Sequence, residues 1–140
     1  MNLTSAKLRT LEKAARAAAK KAYCPYSEFP VGAAVLSLSG MTYRGCNVEN
    51  ASFGLCNCAE RTALFSAVAA GERKITAVAI YTPTQTATAP CGACRQALNE
   101  FSDGMLVIST CDSRDRIERP LAELLPASFG PPNLNAKSLK

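Results

Sequence analysis

The sequence predicts a three-layer α/β domain in which helices cover both faces of a mixed five-stranded sheet. Three observations carry this. Leu8, Leu11, Ala15, Ala18 and Ala22 recur at three- and four-residue spacings, the signature of an amphipathic helix. Short β-branched and apolar runs then alternate with helical segments, the order of an α/β fold. The link 111–115 is too short to cross over between parallel strands, so the last two strands pair antiparallel while the passage before them is parallel.

Taken in order, the first helix spans about Ser5–Ala22 and stops before Pro25, which disfavours helix in the residue ahead of it. Val31–Leu38 and Thr42–Asn47 read as strands joined by a hairpin at Ser39-Gly40. Residues 48–57 form an irregular loop. A second helix covers about Cys58–Ala70 and ends at Gly71, a favoured residue just past a helix. Thr76–Tyr81 is a buried strand, and after a Thr/Pro/Ala loop a third helix runs from Cys91 to Phe101. Met105–Thr110 and Arg116–Arg119 are the last strands, Leu121–Leu125 a short helix, and 131–140 a loosely ordered tail.

With 140 residues the chain has the size of one domain with its own core. No apolar run approaches the roughly 20 residues of a membrane span, so a soluble protein without membrane partners is expected. The Ala-, Lys- and Arg-rich start resembles a mitochondrial presequence superficially, but its apolar stripe favours a helix of the fold. The net charge of +5 comes from scattered residues, Arg9, Lys13, Arg16, Lys20, Lys21, Arg114, Arg116 and Arg119, with no aromatic-interleaved block. A solvated helix surface explains them better than nucleic-acid binding.

Seven cysteines without an export signal argue for reduced thiols rather than a disulfide framework, and a cytoplasmic setting is expected. Histidine is absent, so any zinc here leans on thiolate. Pro90-Cys91-Gly92-Ala93-Cys94 places two sulfurs on one side of a helix start, and Cys58, opening another helix, supplies a third. Three ligands leave one tetrahedral position for water. A thioredoxin-like redox pair and a closed structural zinc site are the alternatives. The latter would need Cys56 as fourth ligand, too near Cys58 for the usual chelating gap. Glu60, two residues after Cys58, favours the catalytic reading, because a carboxylate beside an activated water is what proton transfer requires. Cysteine pairs after Pro with a Glu two residues past an earlier ligand are also the pattern of zinc deaminases.

Longer segments extend that match. Pro25-Tyr26-Ser27-Glu28-Phe29-Pro30-Val31-Gly32-Ala33-Ala34, Gly45-Cys46-Asn47-Val48-Glu49-Asn50-Ala51-Ser52, Cys58-Ala59-Glu60-Arg61-Thr62-Ala63, Pro90–Gln96 and Leu124-Leu125-Pro126 with Phe129-Gly130-Pro131 cover residues 8 to 131. With them the chain resembles the homotetrameric zinc-dependent cytidine deaminases of pyrimidine nucleoside salvage.

The resemblance implies a cytidine-deaminase-like fold over residues 1–130, a tail at 131–140, and hydrolytic deamination of cytidine and 2′-deoxycytidine. It implies one Zn2+ per subunit on Cys58, Cys91 and Cys94, with Glu60 as proton shuttle and Arg61 as counter-charge to the thiolates. Asn47 and Glu49 would hold the ribose hydroxyls, Phe29 would lie against the base, and the Ala59 backbone with Glu60 would read its polar edge. Ala51 and Phe53 would serve a neighbouring subunit's sugar site, and Phe129 another's. Many members carry Tyr where this chain has Phe53, so a contact made by that hydroxyl is missing. Cys24, Cys46, Cys56 and Cys111 are expected to pack rather than ligate, and an anionic Glu49 would repel a phosphodiester, making nucleic acid an unlikely substrate.

Overall fold

The computed structural model describes residues 3–134. Its elements are α1 (Ser5–Ala19), β1 (Gly32–Ser37), β2 (Thr42–Cys46), α2 (Ala59–Ala69), β3 (Ile75–Tyr81), α3 (Gly92–Glu100), β4 (Ser102–Thr110), β5 (Arg116–Pro120) and α4 (Leu121–Leu124). The sheet order is β2-β1-β3-β4-β5; only β3 and β4 run parallel, with α3 between them in the chain. The expected mixed five-stranded sheet is present.

Alternation along the strands builds the layers. Ala33 and Val35 of β1 and Val78 and Ile80 of β3 pack with Ala63, Leu64, Ala67 and Leu98 of α2 and α3. Their neighbours Ala34, Leu36, Ala77, Ala79 and Tyr81 face Leu11, Ala15 and Ala19 of α1. A sheet covered on both sides buries nearly every side chain of its central strands, and β1 and β3 are buried throughout. Each fully buried Leu, such as Leu11, Leu64 or Leu98, contributes about 1.5–3 kcal/mol.

Two glycines bring helices onto the sheet. A Cβ at Gly32 would collide with the backbone of Ala15 and Ala19 in α1. One at Gly45 would meet the Ala59 carbonyl at 2.6 Å and the backbone of Ala63 and Thr62 in α2. Gly45 therefore sets how closely the first turn of α2 approaches β2.

Several boundaries differ from expectation. Thr4 caps α1 by accepting the Lys7 N–H at 3.3 Å, but the helix ends three residues early. Tyr23 instead joins the 47–49 segment, donating to the Asn47 carbonyl and accepting from Glu49 N–H. Strand β4 begins at Ser102 rather than Met105, with a register irregularity and Gly104 at φ 64. Pro131–Leu134 forms a 3-10 turn; the remainder of the expected tail, 135–140, lies outside the described residues. Among the described residues no helix is long and apolar enough to cross a membrane.

Candidate active site

Three thiols converge where the N-termini of α2 and α3 meet. Cys58 is the N-cap of α2 and Cys91 that of α3, and neither side chain caps its helix, which leaves both sulfurs available. Cys94 follows within the first turn of α3 and is buried. The three sulfurs all lie within 4.8 Å of one another, with Cys58 and Cys91 at 3.9 Å. Tetrahedral zinc with Zn–S bonds of about 2.3 Å requires sulfurs ~3.8 Å apart. The donor set fits zinc in spacing and in chemistry, and both helix N-termini lend positive potential to a site rich in thiolate.

The surrounding groups favour charge separation. Arg61 Nη2 donates to Cys58 Sγ at 3.5 Å, and its buried Nε has no other partner among the described residues. The Cys58 thiol is drawn down to about 5, chiefly because the Cys94 thiol donates to it, with Arg61 and Cys91 assisting. Cys94 is pushed up as the donor of that same bond and by its burial. Without metal the cluster thus holds its first negative charge on Cys58.

Glu60 occupies the first turn of α2 and is only 5% exposed. Burial raises its carboxyl above the usual range, and the negative Cys58 sulfur pushes the same way. A carboxyl moved toward neutrality releases and takes up protons more readily at working pH.

These groups form one wall of a cavity of about 440 Å³. Phe29, Asn47, Glu49, Cys58, Ala59, Glu60 and Cys91 all line it, so most of the expected site residues are brought together. Asn47 and Glu49 lie just beyond the end of β2. Val48 between them pairs with Asn57 through reciprocal backbone bonds, which keeps the stretch extended and sends residues 47 and 49 to the same side.

Both residues carry a second duty that the sequence did not reveal. Asn47 Oδ1 accepts the Val31 N–H and its Nδ2 donates to the Phe29 carbonyl, each at 2.8 Å. One amide proton and one lone pair remain for a ligand. Glu49 Oε1 accepts the N–H groups of Tyr26 and Ser27, both at 3.1 Å. Partial desolvation opposes its ionisation, but these N–H bonds prevail and hold the carboxyl below the usual range.

Ser27, Val31, Cys56, Asn57, Ile80, Thr88 and Ala89 also line the cavity. Ser27 and Val31 lie inside the quoted Pro25–Ala34 segment, which was a usable signal; Ile80, Thr88 and Ala89 reach the site only through the fold. Cys56, expected merely to pack, sits at the cavity wall, where its sulfur accepts Asn50 N–H at 3.3 Å. Of the other thiols only Cys111 is buried, while Cys24 and Cys46 are half-buried. Ala51, Phe53 and Phe129 are not brought to this cavity. Phe53 is 71% exposed and meets Tyr26 edge-on at 5.5 Å; Phe129 is 58% exposed.

Comparison with known proteins agrees with this geometry. Residues 5–110 match the family model of the cytidine and deoxycytidylate deaminase zinc-binding region. The chain is 44% identical to a cytidine deaminase of Sporosarcina psychrophila over 84% of its own length and 88% of the relative's. It is 45% identical to one from Halalkalibacterium halodurans over 89% and 96%. The crystal structure of cytidine deaminase from Burkholderia pseudomallei superposes with a TM-score of 0.83 at 48% identity, covering 91% of this chain and all of the other. The chain belongs to the zinc-binding cytidine and deoxycytidylate deaminase family.

Proposed function

We propose that this chain hydrolyses cytidine and 2′-deoxycytidine to uridine and 2′-deoxyuridine, releasing ammonia. The observation that carries the reading is the buried Glu60 beside three convergent thiols, in a cavity whose opposite wall holds Asn47 and Glu49.

Cys58, Cys91 and Cys94 would hold zinc, which when bound would lower the pKa of a water to about 7 and so make hydroxide available at neutral pH. Glu60 accepts the water's proton and delivers it to the ring nitrogen beside the amino-bearing carbon. As hydroxide adds to that carbon, the ring nitrogen becomes N–H. Glu60 then moves the hydroxyl proton to the amine, the C–N bond breaks, and the carbonyl of uridine remains. Water enters and ammonia leaves, so atoms and charge balance. The Ala59 backbone and Glu60 read the polar edge of the base, Phe29 packs against its ring, and Asn47 and Glu49 take the sugar hydroxyls. Arg61 offsets thiolate charge from behind the ligands.

The reading extends to a cytoplasmic homotetramer in which residues 1–130 form the deaminase domain and each chain binds one zinc. Phe53, Leu55, Phe65 and Phe129 are half or more exposed, a concentration of large apolar side chains that favours burial against other copies. Ala51 and Phe53 would then complete one neighbour's sugar site and Phe129 another's.

Ammonia release from free cytidine, compared with release from a cytosine-containing oligonucleotide, tests the activity, and metal analysis should find about one zinc per chain. Turnover on the nucleoside alone is expected. Turnover on the oligonucleotide alone would replace the substrate assignment. Light scattering on a dilution series, with turnover measured at each point, tests assembly. A monomer with full specific activity would reduce Phe129 to a surface residue.

A further inference from the structure

Five basic side chains that lie far apart in the sequence meet around one groove remote from the substrate cavity. Arg9, Lys13 and Arg16 share a face of α1, and Arg114 and Arg116 come from the end of the β4–β5 link and the start of β5. Together with Glu12, Asp115, Thr110, Cys111 and Ser113 they line a groove of about 470 Å³. Five of the eight basic residues read from the sequence as scattered thus line one groove.

Of the carboxylates at the groove, three are paired with its cations, and Asp115 keeps its charge while accepting a backbone N–H. Glu12 pairs with Arg116 at 2.7 Å, and Glu118 pairs with the same guanidinium at 2.7 Å. Asp112 accepts from Arg16 at 2.9 Å and from the Tyr81 hydroxyl at 2.7 Å. Asp115 Oδ2 accepts the Ala87 N–H at 2.8 Å. Among the described residues Arg9, Lys13 and Arg114 make no ion pair.

Two of the cations are held in place. Arg16 also donates to the Cys111 carbonyl at 3.1 Å and stacks 4.1 Å over the Tyr81 ring. Arg116 is fixed between its two glutamates. Each keeps unused N–H donors, because a guanidinium carries five. Arg9 and Lys13, at i and i+4, repel one another on the helix surface, so a helix serving only to pack against the sheet gains nothing from that pair. An anion seated in the groove would relieve the repulsion and meet the N–H donors that Arg16 and Arg116 leave free, charge-assisted bonds that suit phosphate oxygens.

We propose that this groove is a binding site for a compact phosphate-bearing anion, of the size and charge of a di- or triphosphate chain. The site is distinct from the nucleoside cavity and needs none of its residues.

Calorimetric titration of zinc-loaded protein with inorganic tripolyphosphate in ~0.1 M salt tests this, with zinc content measured before and after so that chelation is not mistaken for binding. One saturable event per chain is expected. Arg9→Ala combined with Lys13→Ala and Arg114→Ala should weaken it at least about tenfold, since each charged hydrogen bond is worth roughly that factor. Arg119→Ala, on β5 outside the groove, should change it by less than about twofold. All these side chains are exposed, so the variants should keep the wild-type melting temperature and cytidine kinetics. Absence of saturable binding overturns the proposal, as does equal weakening by Arg119→Ala, which would mean diffuse charge. Tight binding of a single-stranded oligonucleotide with none of tripolyphosphate would overturn it in favour of a nucleic-acid surface.

Discussion

The two walls of the substrate cavity are built on different principles. The metal wall stands on helix starts whose positions are dictated by the core: Ala59, Ala63 and Leu64 are fully buried, and α2 sits against Gly45 without room for one more carbon. The wall proposed to take the sugar stands on loop, and its polar residues hold that loop as well as line the cavity, Asn47 clamping residues 29 and 31 and Glu49 clamping 26 and 27. The thiol cluster is thus positioned by packing, while Asn47 and Glu49 are positioned by hydrogen bonds that a single substitution can loosen.

The contrast is sharpest at Glu60. Glu60→Gln keeps shape and burial but cannot carry a proton, so turnover should fall by about 10²–10⁴-fold with zinc and melting temperature nearly unchanged. Steady-state kinetics with metal analysis decides it; near-normal turnover in the zinc-loaded variant would make Glu60 a bystander.

Gly45→Ala attacks the same wall through its support. The added methyl meets α2 backbone rather than a flexible side chain, so a cost of about 1–3 kcal/mol or more is expected. Thermal unfolding should show it, together with weakened zinc retention, because the Cys58 end of α2 must move. An unchanged melting temperature would show that α2 does not depend on this close approach.

Glu49→Gln probes the loop-built wall. A neutral acceptor replaces a charged one, so KM for cytidine should rise by about tenfold while kcat and zinc content hold. A fall in kcat with unchanged KM would erase the distinction between the walls.

The smallest effect is in pH. The Glu49 carboxyl titrates below its ordinary 4.5, so its contribution to stability is full above that value and disappears as pH falls through the lower folded value. The melting-temperature gap between wild type and Glu49→Gln should therefore be constant near neutrality and narrow below about pH 4.5. A gap independent of pH would mean that the charge of Glu49 plays no part in holding the 26–27 loop.

Legibility in the sequence followed the same division. Cys91 with Cys94, and Cys58 with Glu60, were readable because a helix start brings nearby residues together, and zinc's need for a third ligand linked the two helix starts. The chain order of the strands, the first hairpin and the sense of the last two pairings were readable from run lengths and link lengths. The bracing by Asn47 and Glu49 was not, because it depends on which backbone N–H groups a loop presents across 16 to 23 residues. The early start of β4 was hidden by Ser102-Asp103-Gly104, a turn-like triplet that becomes strand because Ile75 N–H bonds to the Phe101 carbonyl. The basic groove stayed invisible because its parts lie about a hundred residues apart and meet only when β5 pairs with β4 and Arg116 reaches Glu12 of α1.

The division of the three sulfurs between two helices has a mechanical side. Cys58 and Cys91 are 33 residues apart, and the chain between them contains all of α2 and all of β3. An ion that ties them closes that stretch into a loop, as a disulfide would. On the chain-entropy model, closing a loop of this length removes roughly 3–4 kcal/mol of freedom from the unfolded chain. With zinc on the proposed ligands, the three thiols would double as a removable staple between α2 and α3, and loss of the ion would loosen the seam between the helices along with the chemistry.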